Sequence, residues 1–138
     1  MLILLFIPFK SYGQNFTNKG NFKATSYCLS GITKQGHNVR RGIIAVDPSI
    51  IPLNSIVYIE YPVAARGYYL ASDTGRLIKG NIIDIWVPTC NEAIHWGRRS
   101  VKLVVDTKFT RELAPKLKRG AVLTNLKVTL GTQKRLVP

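Results

Sequence analysis

A chain of 138 residues, 46% hydrophobic and 20% charged, is large enough for one folded domain and too short for two ordinary ones, and its composition excludes disorder throughout. No apolar run reaches the roughly 18–20 residues that span a bilayer. The net charge of +13, from 20 Lys and Arg against 7 Asp and Glu, attracts polyanions of any kind, but no motif of a nucleic-acid module accompanies it, so specific nucleic-acid binding is not expected.

In chain order, Met1–Phe9 (MLILLFIPF) has the length of a secretory apolar segment. Ser11-Tyr12-Gly13 follows, with small residues suited to cleavage after Gly13, although the usual basic residues before the apolar segment are missing. Residues 1–13 are therefore expected to be an export signal, residues 14–23 a linker, and residues 24–106 the folded domain, outside the cytoplasm. Cys28 and Cys90 are even in number and far apart, which allows either one disulfide or two buried thiols. Gly42–Val46, Ser55–Tyr61, Tyr68–Ser72, Asn81–Val87 and Val101–Val105 are short β-branched and aromatic runs bounded by Gly, Pro and Asn. They predict a mainly β domain. One helix is predicted from Thr89 to about Trp96: Thr89-Cys90-Asn91-Glu92 has the form of a capping box, and Gly97 is a natural stop. Residues 107–138, with eight bases and one acid, read as a basic C-terminal extension. It holds a short helix around 111–117, interrupted by Pro115, and an apolar run over 121–130. Its charge suits contact with anionic wall polymer or a membrane surface.

Four of the seven acids have ordinary roles: Glu60 alternates on a strand, Glu92 caps the helix, Asp106 follows a strand and Glu112 lies in the basic extension. The other three, Asp47, Asp73 and Asp84, fall where short apolar strands meet turns. Asp84 stands out, because an acid between Ile82-Ile83 and Ile85-Trp86 on a buried strand is costly unless paired, hydrogen-bonded or protonated. A structural carboxylate accepting backbone N–H bonds is the plain alternative, and Asp73-Thr74-Gly75 also reads as an Asx-type turn. Two Cys and two distant His lack any zinc-ligand spacing.

Ala24-Thr25-Ser26-Tyr27-Cys28, Arg40-Arg41-Gly42, Ala45-Val46-Asp47-Pro48, Ile51-Pro52-Leu53, Asp73-Thr74-Gly75, Ile78-Lys79-Gly80-Asn81, Ile83-Asp84-Ile85-Trp86 and Trp96-Gly97 together resemble the 3D domain. That domain is named for three aspartates and occurs in stationary-phase survival-type wall proteins and in the membrane-bound lytic murein transglycosylase A family. The resemblance covers residues 24–105 and implies a six-stranded double-psi β-barrel that cleaves peptidoglycan glycan strands without water or cofactor. It implies that Asp84 is the catalytic acid, Asp73 its supporting carboxylate and Asp47 the third aspartate. Arg76 stands where the family usually has a second Gly after D-T-G, which bears on the loop over the groove.

Independently of the resemblance, cleaving a glycosidic bond needs an acid that keeps its proton near neutral pH, and burial beside a second carboxylate supplies one. In a lytic reaction Asp84 would protonate the leaving oxygen and then help the muramyl C6 hydroxyl attack C1. Thr74, Lys79, Asn81, Tyr27 and Trp86 are candidate sugar contacts, each with a turn or core-packing alternative; Trp96 reads as core. His37 and His95 lack a partner pattern and read as surface residues. Cys28 and Cys90, in the entry motif and at the helix start, are expected to be neighbours. No metal is expected, since a divalent ion would force Asp84 to ionise. The competing reading is a noncatalytic module that binds or loosens wall glycan.

Overall fold

In the computed structural model, which describes residues 16–117, six strands close into a barrel: β1 (Phe16–Tyr27), β2 (Ile43–Ala45), β3 (Ile56–Tyr61), β4 (Gly67–Asp73), β5 (Ile82–Trp86) and β6 (Arg99–Asp106). Their order is β1-β5-β2-β4-β3-β6, with β6 returning to β1. The mainly β, six-stranded architecture is the one expected. Two neighbouring pairs, β1 with β5 and β2 with β4, run parallel, and the others antiparallel. Alternation of side chains decides what enters the core. Phe22 and Ala24 of β1, Ile44 of β2, Val57 and Ile59 of β3, Ile83 and Ile85 of β5 and Val101, Leu103 and Val105 of β6 form one buried cluster.

The predicted strands differ from the observed ones by one or two residues at their ends. The expected linker over 14–23 is a larger departure, because β1 starts at Phe16 and pairs with β6 from Phe16 to Ala24. Its register shifts between Asn18 and Gly20, where Gly20 has φ 79°. That bulge breaks the alternation by which a strand is recognised in sequence.

Helix α1 (Cys90–Trp96) is the predicted one, with Thr89 as N-cap accepting the Glu92 N–H at 3.2 Å and Gly97 as C-cap at φ 63°. The reciprocal half of the capping box is replaced: both Glu92 oxygens accept from the Arg41 guanidinium, at 2.7 and 2.8 Å. The helix is tied to β1 by the Cys28–Cys90 disulfide (Cα–Cα 5.2 Å), by Trp96 Nε1 donating to Ala24 O and by Ser26 Oγ donating to Ala93 O.

The basic extension begins as an ordered part of the fold. Helix α2 (Thr107–Leu117) starts directly after β6, where Asp106 accepts the Phe109 N–H at 2.8 Å. Phe109 packs with Ile43, Ile56, Tyr68 and Leu70 in a second buried cluster. The helix predicted around 111–117 therefore begins four residues earlier and passes Pro115, which lies in the last turn, close to where the missing N–H and the ring end a helix. The export segment and the apolar run over 121–130 lie outside the described residues.

Candidate active site

The candidate site, where the resemblance places a groove, lies on the outer face of β1, β5, β2 and β4. On β5 the alternation turns Ile83 and Ile85 inward, leaving Asp84 half-buried on the outer face with Ile82 and Trp86. Asp84 thus lies beside the core rather than within it, on a strand whose alternate residues are buried. Thr25 of β1 is its parallel register partner, and the Thr25 hydroxyl donates to Asp84 Oδ1 at 2.9 Å. On its other side Asp84 pairs with Ala45 of β2, and Ala45 pairs in turn with Asp73 of β4. The two aspartates therefore flank a methyl group, two strand spacings apart, or roughly 10 Å between Cα atoms.

Asp73 reaches that face because of a second bulge. Ile44 pairs with Ala71 but Ala45 pairs with Asp73, so Ser72 is the extra residue in β4. Strict alternation after the inward Ala71 would have sent Asp73 into the core. Ser72 is instead fully buried, its hydroxyl 2.7 Å from Thr33 Oγ1 and 2.6 Å from His37 Nδ1, and its carbonyl accepts the Gln35 N–H. His37, expected on the surface, is therefore a half-buried member of this network, which pins the β1–β2 loop onto β4. His95 is exposed on α1, as expected.

The Asp73 carboxylate accepts the Thr74 N–H at 2.9 Å, the Lys34 N–H at 3.0 Å and the Tyr27 hydroxyl at 3.1 Å. Burial first, and the Asp73 charge second, push the Tyr27 phenol well above its ordinary value, so it stays a donor at neutral pH. Burial is also the main cause raising the Asp84 carboxyl; the Asp73 charge adds to it and the Thr25 hydroxyl opposes it. Asp47 has a different setting, in the loop after β2. Its Oδ1 accepts from Ser49 N and Oγ at 3.0 and 2.7 Å, and its Oδ2 from Gly80 N at 2.8 Å. The Gly80 N–H is the main cause lowering its carboxyl below the usual range. Asp47 clasps the Lys79-Gly80 turn, while Tyr27, Asp73 and Asp84 form the connected group.

Of the candidate sugar contacts, Thr74 is half-buried beside Asp73, and Lys79 is exposed. Asn81 is exposed at the start of β5, its carbonyl accepting the Lys23 N–H. Trp86 packs against the second cluster and donates to Leu29 O at 2.9 Å, so packing accounts for much of it. Trp96 packs on the core and carries Arg99 stacked 4.4 Å above its ring. Thr25, which sequence reasoning quoted only within a motif, is the direct partner of Asp84. Its sole signal is its place two residues before Tyr27, on the same strand face. Among the described residues, no group of three or more His, Cys, Asp or Glu is placed to hold a metal ion, and no helix is long and apolar enough to cross a membrane.

Comparison with known proteins bears on this geometry. YabE of Bacillus subtilis (strain 168) is 42% identical over 88 residues, covering 61% of this chain and 21% of its own length. Cell wall-binding protein YocH of the same organism is 42% identical over 81 residues, 56% of this chain and 27% of its own. The chain thus spans well under a third of these relatives. Among solved structures, MltA from E. coli is similar with a TM-score of 0.48 and 23% identity, over 56% of this chain and 27% of that one. The model of the 3D domain family matches residues 42–105, a segment that contains all three aspartates and most of the motifs read from the sequence.

Proposed function

We propose that this chain acts on the glycan strands of the bacterial cell wall, as a lytic transglycosylase cutting the MurNAc–GlcNAc β-1,4 bond. The observation that carries the reading is the pair of aspartates facing one groove across Ala45, with the Asp84 carboxyl raised by burial and by its neighbour's charge. A carboxyl so placed can hold a proton for the leaving GlcNAc oxygen and, once ionised, take the proton of the MurNAc C6 hydroxyl as that oxygen closes on C1. The product is a 1,6-anhydro end, and Asp84 finishes the cycle protonated. Asp73 tunes Asp84 and holds Tyr27 over the groove; Asp47 positions the turn that carries Lys79. The name of YocH, which describes cell wall binding, supports a wall glycan as the ligand.

The two parallel pairings support the double-psi form of the barrel. The disulfide, together with the apolar segment over 1–13, supports an extracytoplasmic location. Incubating purified murein with the protein and identifying the released muropeptides by mass spectrometry tests the reaction. Anhydro-muropeptides are expected; reducing-end muramic acid would mean that water is the acceptor. The YocH name also favours a second reading, noncatalytic wall binding, which retention on murein with no released product would select.

A further inference from the structure

Beyond Thr25, on the side away from Asp73, the barrel surface carries a second set of recognition groups. A cleft of about 480 Å³ is lined there by Asn21, Lys23, Tyr61, Asn81, Ser100 and Lys102, a volume in the range of small-ligand sites. Strand register arranges these side chains in rows. Tyr61 lies opposite Lys102 and Lys102 opposite Asn21; Ser100, Lys23 and Ile82 form the next row, and Thr25 with Asp84 the one after. Because Phe22 and Ala24 point into the core, Asn21, Lys23 and Thr25 share the outer face of β1. One strand spacing across and two residues along place the Lys23 and Asp84 Cα atoms about 8 Å apart. The cleft and the aspartate groove are thus one continuous surface.

The polar groups of this cleft are largely unspent. Lys23 Nζ donates to Ser100 Oγ at 2.7 Å, which uses one of its three N–H bonds. Lys102 Nζ stands 3.5 Å from Glu60 in an exposed pair of little strength in water. Two ammonium groups against one carboxylate leave the cleft positive. Tyr61 is 62% exposed, a flat amphipathic ring with amides and a hydroxyl around it. Ring, amides and hydroxyl suit a sugar; the ammonium groups add a preference for negative charge.

We propose that this cleft is a subsite for an acidic saccharide, in which Lys23 and Lys102 hold a carboxylate borne by the same strand whose glycosidic bond lies at Asp84. This deepens the proposed function and rests on it: on a wall glycan, the carboxylate is that of the muramyl lactyl group or of the stem peptide attached to it.

Calorimetric titration of the whole chain tests the subsite with three probes: a peptide-free wall glycan hexasaccharide with free lactyl carboxylates, its stem-peptide-bearing form, and the neutral N-acetylglucosamine hexamer. The wild type is expected to bind at least one acidic probe roughly tenfold tighter than the neutral one, with the preference shrinking between about 50 and about 200 mM salt. The tighter acidic probe identifies the source of the carboxylate. The Lys23→Met/Lys102→Met variant keeps the aliphatic stems; it should lose the preference and leave affinity for the neutral hexamer unchanged. Equal affinity of the wild type for all three probes, binding of none, or a preference that survives in the Lys variant would overturn the subsite. Muropeptide release separates the two proposals: a wild type that keeps the acidic preference but releases no anhydro-muropeptides removes the proposed reaction and leaves the subsite standing, and one that releases them while binding all three probes equally removes the subsite and leaves the reaction.

Discussion

Replacing Asp84 with Asn separates the transferable proton from everything else this side chain does. The amide has the same size and its oxygen can still accept from the Thr25 hydroxyl, which now donates to Asp84 at 2.9 Å. The residue is half-buried on the outer face, so the packing cost should stay within about 0.5 kcal/mol. Catalysis should suffer far more. A positioned acid–base group contributes about 10²–10⁴-fold, or about 2.7–5.4 kcal/mol of barrier, and Asp84 would serve both proton steps, which puts the expected loss in the upper half of that range. Stability should move the other way. The folded-state carboxyl is raised, first by burial and then by Asp73, so the native state holds this proton more tightly than the unfolded chain does. Stability from such a group is fully present below the unfolded value of about 3.9 and is lost as pH rises through the folded value. At pH 7, above the unfolded value, the wild type bears that cost whether it ionises or holds its proton, and the variant does not. Asp84→Asn should therefore melt at or above the wild type at about pH 7, with the difference vanishing near pH 3. Muropeptide release followed by mass spectrometry and thermal melts at both pH values measure the two effects. Wild-type rates of anhydro-muropeptide release in the variant, or a loss of rate that merely tracks a lower melting temperature, would refute the reasoning.

At Asp73, replacement by Asn removes the charge that helps raise Asp84, so the alkaline limb of the pH–rate profile should move to lower pH with a smaller rate loss than at Asp84. A single amide oxygen also cannot serve all of Thr74, Lys34 and Tyr27 as well as a carboxylate does, which should cost about 1–2 kcal/mol in a urea melt. Gly75→Ala would set a Cβ 2.7 Å from Ile78 Cγ1, and Ile78 is buried; a loss of about 1–3 kcal/mol is expected, and an unchanged urea midpoint would contradict the close packing. Cys28→Ser opens a loop with a sequence separation of 62, worth about 4 kcal/mol in the chain-entropy model. Thermal melts of wild type and variant read that effect, and a gain of about 2 Da on reducing the wild type reports the bond itself.

Strands were legible where β-branched runs stand between turn residues. Ile56–Tyr61 and Ile82–Trp86 are such runs, and burial alternates along the whole of β5 and from Val57 to Glu60 in β3. β1 escaped notice because its first half, Phe16 to Gly20, reads FTNKG and carries a bulge. There, pairing with β6 supplies what local propensity lacks. Phe109 shows the same limit in another form. The tail's charge is plain in sequence, but that its helix starts at Thr107 depends on Asp106 being placed as a cap and on an apolar patch from β2, β3 and β4 being open to receive the ring. Strand order and closure did not follow from the residues alone; they came with the family resemblance.

The aspartates were visible as acids in apolar surroundings, but their division of labour depends on register. Asp73 faces the groove only because Ser72 is taken up by the bulge, held inside by Thr33 and His37, and nothing in Ala71-Ser72-Asp73 announces an extra residue. Hydrogen-bond partners then separate the three. Among the described residues, Asp47 and Asp73 each accept three hydrogen bonds, two of them from backbone N–H groups, which can only donate. Asp84 receives one side-chain hydrogen bond, from a hydroxyl. A hydroxyl can donate to a carboxylate and, by rotating, accept from a carboxylic acid. Thr25 can therefore serve Asp84 in both protonation states, as a residue that gives up a proton and takes one back requires. The backbone donors are spent on the two aspartates that hold loops in place, and the proposed proton chemistry falls to the one whose partner can reverse its role.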